Sequence, residues 1–396
     1  MFREMKFASA LTTKTDWTEA VEELNSQIVQ QLGAEKRDLA MLFVHPDYLL
    51  ELEDFIEAIQ NNIGARHLVG CSGAGIIGSD QELEKQPSVS LLVGQLPGCE
   101  ITTFHISQQE LEEASGAAFW HFQLEVMPEQ NPQFIVLGDP FTINAVQLVE
   151  TLNEAYPAAP LIGGLASASN EPGSARIFTG TEIFEGGALG VALSGGVALR
   201  TVVAQGCKPI GEPLTITRAD KNVIFELGGR PPLAVLQELV PTLPQADQHL
   251  ARTSLFVGRV INEYQEEFHR GDFLIRNLLQ LDPKSGALAV GDWMRTGQTV
   301  QFQLRDGHCA EEDLRAMLHH ERERLTMPVR GALMFSCLGR GEGLFGVRNH
   351  DIRLLQEELG PLPSAGFFCN GEIGPVGGRS FIHGFTSVVG LFCEAT

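Results

Sequence analysis

Short continuous apolar runs, each followed by a turn residue and then by apolar positions at helical spacing, recur along this chain. Residues 38–45 (Asp-Leu-Ala-Met-Leu-Phe-Val-His) form one such run and read as a buried strand. After them, Leu52, Phe55, Ile56 and Ile59 predict a helix over 49–63. A short strand at 67–70 ends in the loop Cys71-Ser72-Gly73-Ala74-Gly75, and another strand covers 88–93. Upstream, 5–11 reads as a strand. Residues 17–32 read as a helix with Ala20, Leu24, Ile28 and Leu32 on one face, and Thr15-Asp16 stands where a cap is needed.

The order returns. Phe134 to Leu137 is a strand, Gly138-Asp139-Pro140 a turn and Thr142 to Tyr156 a helix that Asp139 is placed to cap; Leu161-Ile162-Gly163-Gly164 ends the next strand, and 187–193 gives another. It returns again from Gly331 to Phe392 as strand, glycine-rich loop, helix, strand, polar glycine loop, strand. Ala40, Phe134 and Ala332 open equivalent strands, and Leu68, Leu161 and Pro363 open the following ones, at offsets of 28, 27 and 31 residues. Three units of similar spacing, each ending in a glycine loop, point to internal duplication.

Around Gly206 the pattern changes. Cys207-Lys208-Pro209-Ile210-Gly211-Glu212-Pro213 interrupts regular structure twice with proline, so residues 206–221 read as a boundary between a domain at 1–205 and a second at 222–396. The second half holds a helix near 232–240, strands around the turn Asp282-Pro283-Lys284-Ser285-Gly286, and an amphipathic helix at 311–325. Strands joined by turns alternate with helices, so the expected fold is mixed α/β, with layered mixed sheets covered by helices in two related domains.

Composition narrows the function classes. The formal net charge is −22, which argues against nucleic acid or an anionic membrane as the main partner. The seven cysteines are odd in number and scattered, and no C-x-x-C or His/Cys zinc spacing occurs. A reduced, cytoplasmic setting is therefore expected. The first residues, Met1 to Lys6, lack the apolar core of a signal peptide, and no apolar run is long enough to span a bilayer. No cofactor or metal is expected.

The ordered motifs resemble the FIST family, a sensory module with an N-terminal and a C-terminal part. In the first half the likeness rests on Leu68-Val69-Gly70-Cys71-Ser72-Gly73-Ala74-Gly75. In the second it rests on Gly206 to Gly211, Asp282 to Leu288, Phe302 to Asp306, and above all the loops Cys337-Leu338-Gly339-Arg340-Gly341 and Ala365 to Pro375, closed by His383-Gly384-Phe385-Thr386. The resemblance implies signalling inside the cell by a protein that binds small ligands, with amino acids the proposed class. Relatives often carry the module beside an output domain. Both halves fill this chain, so signalling through a separate protein or through its own oligomer is expected, with an unidentified signalling protein as the partner.

The residues themselves point to the carboxyl ends of the last strands, where open α/β sheets bind ligands. Arg340 could hold a ligand carboxylate bidentately beside the amides of Gly339 and Gly341, with Glu372 accepting an amine and Asn370 bridging near Gly371. The competing reading pairs Arg340 with Glu342 or Glu372 simply to hold a loop. Cys337 with His383 as a distant base could make a nucleophile, but a cysteine at a strand end is more often a small buried hydrophobe. Glu342, Cys337, His383, Thr386, Cys71, Ser72 and Gly73 complete the expected ligand-binding set. Gly341 to Gly346 matches G-x-G-x-x-G, yet helical signals begin only near Asn349, too late for a dinucleotide site. His319 and His320, among Glu321 and Glu323, read as a solvated helix face. The leading expectation is a non-catalytic sensor. An adaptor without a ligand comes second, and a nucleotide-binding or cysteine-dependent enzyme third.

Overall fold

The computed structural model describes residues 4–33, 35–114, 116–169, 171–265, 267–268 and 271–395; the first three residues of the expected leader-free start lie outside them. The chain forms two compact units, one of residues up to Val203 together with Arg315 onward, the other of Ala204–Leu314. The units therefore divide the chain differently from the split expected at 206–221, because residues 315–396 complete the first unit.

Three modules build the first unit. The first runs β1 (Lys6–Thr12), α1 (Trp17–Leu32), β2 (Arg37–Val44), α2 (Leu52–Ile63), β3 (Ala65–Ser72), the hairpin β4 (Gly75–Gly78) and β5 (Gln81–Glu84), then β6 (Val89–Gln95). The second runs β7 (Cys99–Ile106), α3 (Gln108–Glu113), α4 (Ala117–Leu124), β8 (Gln133–Gly138), α5 (Ala145–Ala155), β9 (Leu161–Leu165), the hairpin β10 (Ile177–Thr179) and β11 (Glu182–Phe184), then β12 (Ala188–Gly195). The third opens with β13 (Val197–Ala204), and the second unit is inserted after it in sequence.

That second unit holds β14 (Cys207–Asp220), β15 (Val223–Leu227), α6 (Pro232–Leu239), α7 (Gln245–Thr253), β16 (Leu255–Val260), β17 (Phe273–Leu281), β18 (Leu288–Val290) and β19 (Thr299–Arg305). Its six strands close into a barrel in the order β14-β15-β18-β17-β16-β19, antiparallel throughout. Ile216, Ile224, Leu288, Val300 and Phe302 fill the interior. The expected boundary segment is a 14-residue strand, since Pro213 falls where the pairing with β19 slips between Ile210 and Leu214. A proline costs no ladder bond at such an irregularity.

α8 (Gly307–Arg324) carries the chain from the second unit back to the first, where the third module resumes with β20 (Gly331–Cys337), α9 (Glu342–Phe345), α10 (His350–Leu359), β21 (Ser364–Cys369), the hairpin β22 (Glu372–Val376) and β23 (Arg379–His383), and β24 (Ser387–Glu394). Each module makes a mixed four-strand sheet and adds two strands borrowed from another module. The orders are β1-β6-β2-β3-β10-β11, β7-β12-β8-β9-β22-β23 and β13-β24-β20-β21-β4-β5. The first module thus receives the hairpin of the second, the second that of the third, and the third that of the first. This closed exchange ties the three sequence repeats into one compact unit.

The helices form as their apolar spacing requires. Asp16 caps α1 through the Thr18 and Glu19 amides, and Ala20, Val21, Leu24, Ile28 and Leu32 face the first sheet. The other sheet faces meet in a common core drawn from all three modules, where Phe43 stacks on Phe367 and both meet Phe335 edge-on. Three glycines make the parallel pairings fit. Gly70, Gly163 and Gly366 stand opposite Leu42, Val136 and Met334 in equivalent registers, and a Cβ at any of them would overlap the facing carbonyl oxygen.

Candidate functional site

The carboxyl ends of β20 and β21 carry the glycine loops, and three separate stretches meet there. The Cys337 amide donates to Thr386 O at 3.0 Å and the Leu338 amide to Cys369 O at 3.0 Å. Beneath these loops lies a buried ionic network. Arg340, 1% exposed, directs Nε and Nη2 to Asp351 Oδ2 and Oδ1 at 2.6 and 3.0 Å, and Nη1 to Phe385 O at 3.4 Å. Asp351 also accepts from Ser336 Oγ at 3.1 Å and from His350 Nδ1 at 3.0 Å. Phe345 stacks on the His350 ring at 3.5 Å and lies 5.2 Å from the Arg340 guanidinium. Burial alone would raise the Asp351 carboxyl, yet the charge of Arg340 and the bonds from His350 and Arg340 hold it well below the usual carboxylate range.

The first module's borrowed hairpin closes this network from the other side. Glu82 Oε1 accepts the Ile352 amide at 2.8 Å, and its Oε2, equally buried, has no hydrogen-bond partner among the described residues. Burial first, and the nearby Asp351 charge second, push Glu82 up to about 8. Three more bonds fasten the hairpin: the Glu82 amide to Asn349 Oδ1 at 2.8 Å, Gln356 Nε2 to Ser79 O at 2.7 Å, and the Glu342 amide to Glu84 Oε1 at 2.8 Å. Asn349 adopts φ +58° to present its side chain, a conformation asparagine tolerates better than most residues. The second module holds its own borrowed hairpin alike, with Asn153 bonding both the Ser380 carbonyl and amide at 2.9 and 3.0 Å.

Several expected roles change. Arg340 is buried with its fork on Asp351, a partner the sequence did not mark, and in that position it supports the loop. Glu342 is exposed and pairs with Arg348 at 3.1 Å. Glu372 is fully buried, its Oε2 accepting the Thr386 amide at 3.1 Å; it pins the turn. His383 is buried and its Nε2 lies 2.9 Å from Gly374 O across the same hairpin, so its ring holds the hairpin closed. Asp139 does not cap α5. Asn144 does, while Asp139 Oδ1 accepts the Phe141 amide at 2.9 Å. Gly341 opens only a four-residue helix, so the G-x-G-x-x-G match has no long helix behind it. His319 is exposed, 3.4 Å from Glu323.

The remaining members form the rim. Gly339 and Asn370 are exposed and Cys337 and Gly371 half-buried, whereas Gly341, Thr386, Cys71, Ser72 and Gly73 are buried behind them. Cys71 and Cys369 carry no exposed surface, and burial pushes both thiols well up. Ser167, which no sequence signal marked, joins all three modules: its Oγ accepts the Ala74 amide at 2.8 Å and donates to Phe368 O at 2.5 Å. Asp351, His350 and Glu82 also escaped notice, since an acid at a helix start or in a short unassigned stretch looks like any surface charge. A cleft of about 430 Å³ sits elsewhere, at the amino ends of β1 to β3; Lys6, Lys36 and Arg66 line it together with Glu4, Glu35 and Asp38.

Comparison with known proteins now decides the family. Residues 38–230 match the FIST N domain and 232–375 the FIST C domain. The chain belongs to the FIST family. FIST domains are sensory modules that bind small ligands. An uncharacterised protein of Mycobacterium tuberculosis is 36% identical to this FIST protein over 390 residues, covering 98% of this chain and 100% of that one. An uncharacterised Mycobacterium bovis protein is 35% identical over 392 residues, with 98% and 99% covered. An F-box/LRR-repeat protein of Arabidopsis thaliana is 35% identical over 91 residues, 22% of this chain and 17% of that one. Among solved structures, a cyanuric acid hydrolase from A. caulinodans aligns with TM-score 0.38 at 9% identity over 99% of this chain and 100% of that one. A chorismatase aligns with TM-score 0.34 at 9% identity over 99% of each. Among the described residues, no helix is long and apolar enough to cross a membrane.

Proposed function

We propose that this FIST protein is a non-catalytic intracellular sensor that receives a small polar ligand, with amino acids as the class, at the rim formed by Cys337, Gly339, Asn370 and Gly371. The observation that carries this reading is the exposed glycine rim resting directly on a buried, hairpin-linked ionic network. Main-chain groups and the Asn370 amide supply hydrogen bonds, while Arg340 and Asp351 fix the loop without being consumed by the ligand. A ligand that tightens the rim would also tighten the clasp between the first and third modules, which a separate signalling protein could read.

A thermal-shift screen with the amino acids and the common nucleotides tests it. A ligand that binds only the folded protein at about 100 times its Kd adds about 2.7 kcal/mol of stability. The expected result is a rise in Tm with one or more amino acids and none with nucleotides, reduced in Asn370→Ala and Gly339→Val. Gly339 has room for a side chain, the nearest atom to an added Cβ being 3.5 Å away on Phe385, so this variant tests the rim and spares the fold. No shift across the panel, or a shift unchanged in both variants, overturns the reading.

Leu338 and Val347, 43% and 45% exposed on either side of α9, favour a second reading as a protein-binding adaptor. Recovery of one partner protein at fixed stoichiometry, with no ligand shift, would support it over the first.

A further inference from the structure

Two of the seven cysteines stand side by side at the root of the rim. Cys337 ends β20 and Cys369 ends β21, and the two are direct partners in the parallel register that also pairs Phe335 with Phe367. Side chains two apart on a strand share a face. The two phenylalanines meet edge-on in the common core, so the two cysteines project from that same face of the sheet. Neighbouring strands lie about 4.8 Å apart, inside the roughly 4.4–6.8 Å between Cα atoms that a disulfide spans. Both thiols are reduced in the structure. They differ in access: Cys337 is half-buried at the loop, and Cys369 is wholly buried, its Sγ donating to Phe367 O at 3.5 Å. The Gly339 amide donates to Cys337 Sγ at 3.4 Å, which holds that sulfur at the open end of the loop.

We propose that Cys337 and Cys369 form an oxidisable thiol pair, in which a hydroperoxide attacked by Cys337 leads to a disulfide joining β20 to β21 beneath the ligand rim. In the first step the Cys337 thiolate attacks one peroxide oxygen. The O–O bond breaks, an S–O bond forms, and with one proton the other oxygen leaves as water, giving a sulfenic acid. In the second, Cys369 Sγ attacks Cys337 Sγ. The S–O bond breaks, and the hydroxide leaves as water with the Cys369 proton. Two thiols lose two electrons and two protons, and the peroxide becomes two waters. The staple would fix the two strands from whose ends the rim loops spring, so the oxidation state would set how far those loops move.

The experiment treats the whole protein with hydrogen peroxide, alkylates it and digests it with trypsin under non-reducing conditions. Arg330, Arg340, Arg353 and Arg379 bound the two peptides, 331–340 with Cys337 and 354–379 with Cys369. The expected product is these two peptides cross-linked, about 2 Da lighter than their sum and separated by a thiol reductant. The link should vanish in Cys337→Ser and Cys369→Ala, and persist in Cys71→Ala. In Cys369→Ala, Cys337 should be trapped as a dimedone adduct, which keeps the test sharp even if that variant is less stable. A link from Cys337 to Cys71 overturns the proposal, as does a Cys337 that stays reduced while half-buried Cys99 is oxidised. No ligand enters the measurement, so its failure leaves the sensor reading standing.

Discussion

Arg340 grips Asp351 through two hydrogen bonds of 2.6 and 3.0 Å, and neither side chain reaches solvent. Removing the cation would strand a buried carboxylate that Ser336 and His350 alone must hold. Breaking one side of such a pair costs about 3–5 kcal/mol, whereas replacing both with apolar groups of similar size is often neutral. Arg340→Ala should therefore lower the denaturation midpoint severely, and Arg340→Met with Asp351→Leu should recover much of the loss. Equal destabilisation in the single and double variants would show that the pair is not the unit that matters.

Glu82 gives stability a slope with pH. Its carboxyl titrates at about 8 in the folded protein against an ordinary 4.5. Between those values the folded state keeps a proton that the unfolded chain has released, so this group makes stability fall as pH rises from about 4.5 to about 8. Asp351 acts oppositely: its contribution is present above 3.8 and lost as pH falls through its depressed folded value. Glu82→Gln keeps an acceptor for the Ile352 amide and removes the titration. It should be more stable than the parent at pH 8, by roughly 1–3 kcal/mol after allowance for relaxation, and equal to it near pH 4.5. Urea melts at the two pH values decide.

Ser167, in the second module, holds one atom of each of the other two. Ser167→Ala leaves the Ala74 amide and one lone pair of Phe368 O without their partner. An unmade buried hydrogen bond costs about 1–3 kcal/mol. Because the three modules share strands, the variant should melt in one transition at lower temperature. Calorimetry resolving a separate early transition would mean that the modules unfold independently.

Gly70, Gly163 and Gly366 are expected to be equally intolerant, since each faces a carbonyl oxygen of its parallel neighbour. Alanine at any one should destabilise by roughly 3 kcal/mol or more, at the upper end of overpacking. Gly343 has open space around it, so Gly343→Ala serves as the control. Soluble yield and chemical denaturation compare them directly. Three alanine variants as stable as the control would remove the steric account of the repeat.

Local order was legible in the chain. The strand-loop-helix-strand units, the face of α1 and its Asp16 cap, the start of α10 near Asn349 and the glycine recurrence all follow from spacing and turn chemistry within a few neighbouring residues. The loops that follow Cys337 and Cys369 were legible too, because glycines at strand ends mark where the chain turns. Tertiary structure alone decided the partners. Hairpin exchange brings Glu82 against Ile352, 270 residues away in sequence, and no local pattern encodes which module a borrowed hairpin joins. The same long-range pairing buried Arg340, Glu372 and His383, which as sequence looked ready for a ligand. A charged side chain reads alike whether it meets water or a buried counter-ion; only the fold supplies the second charge.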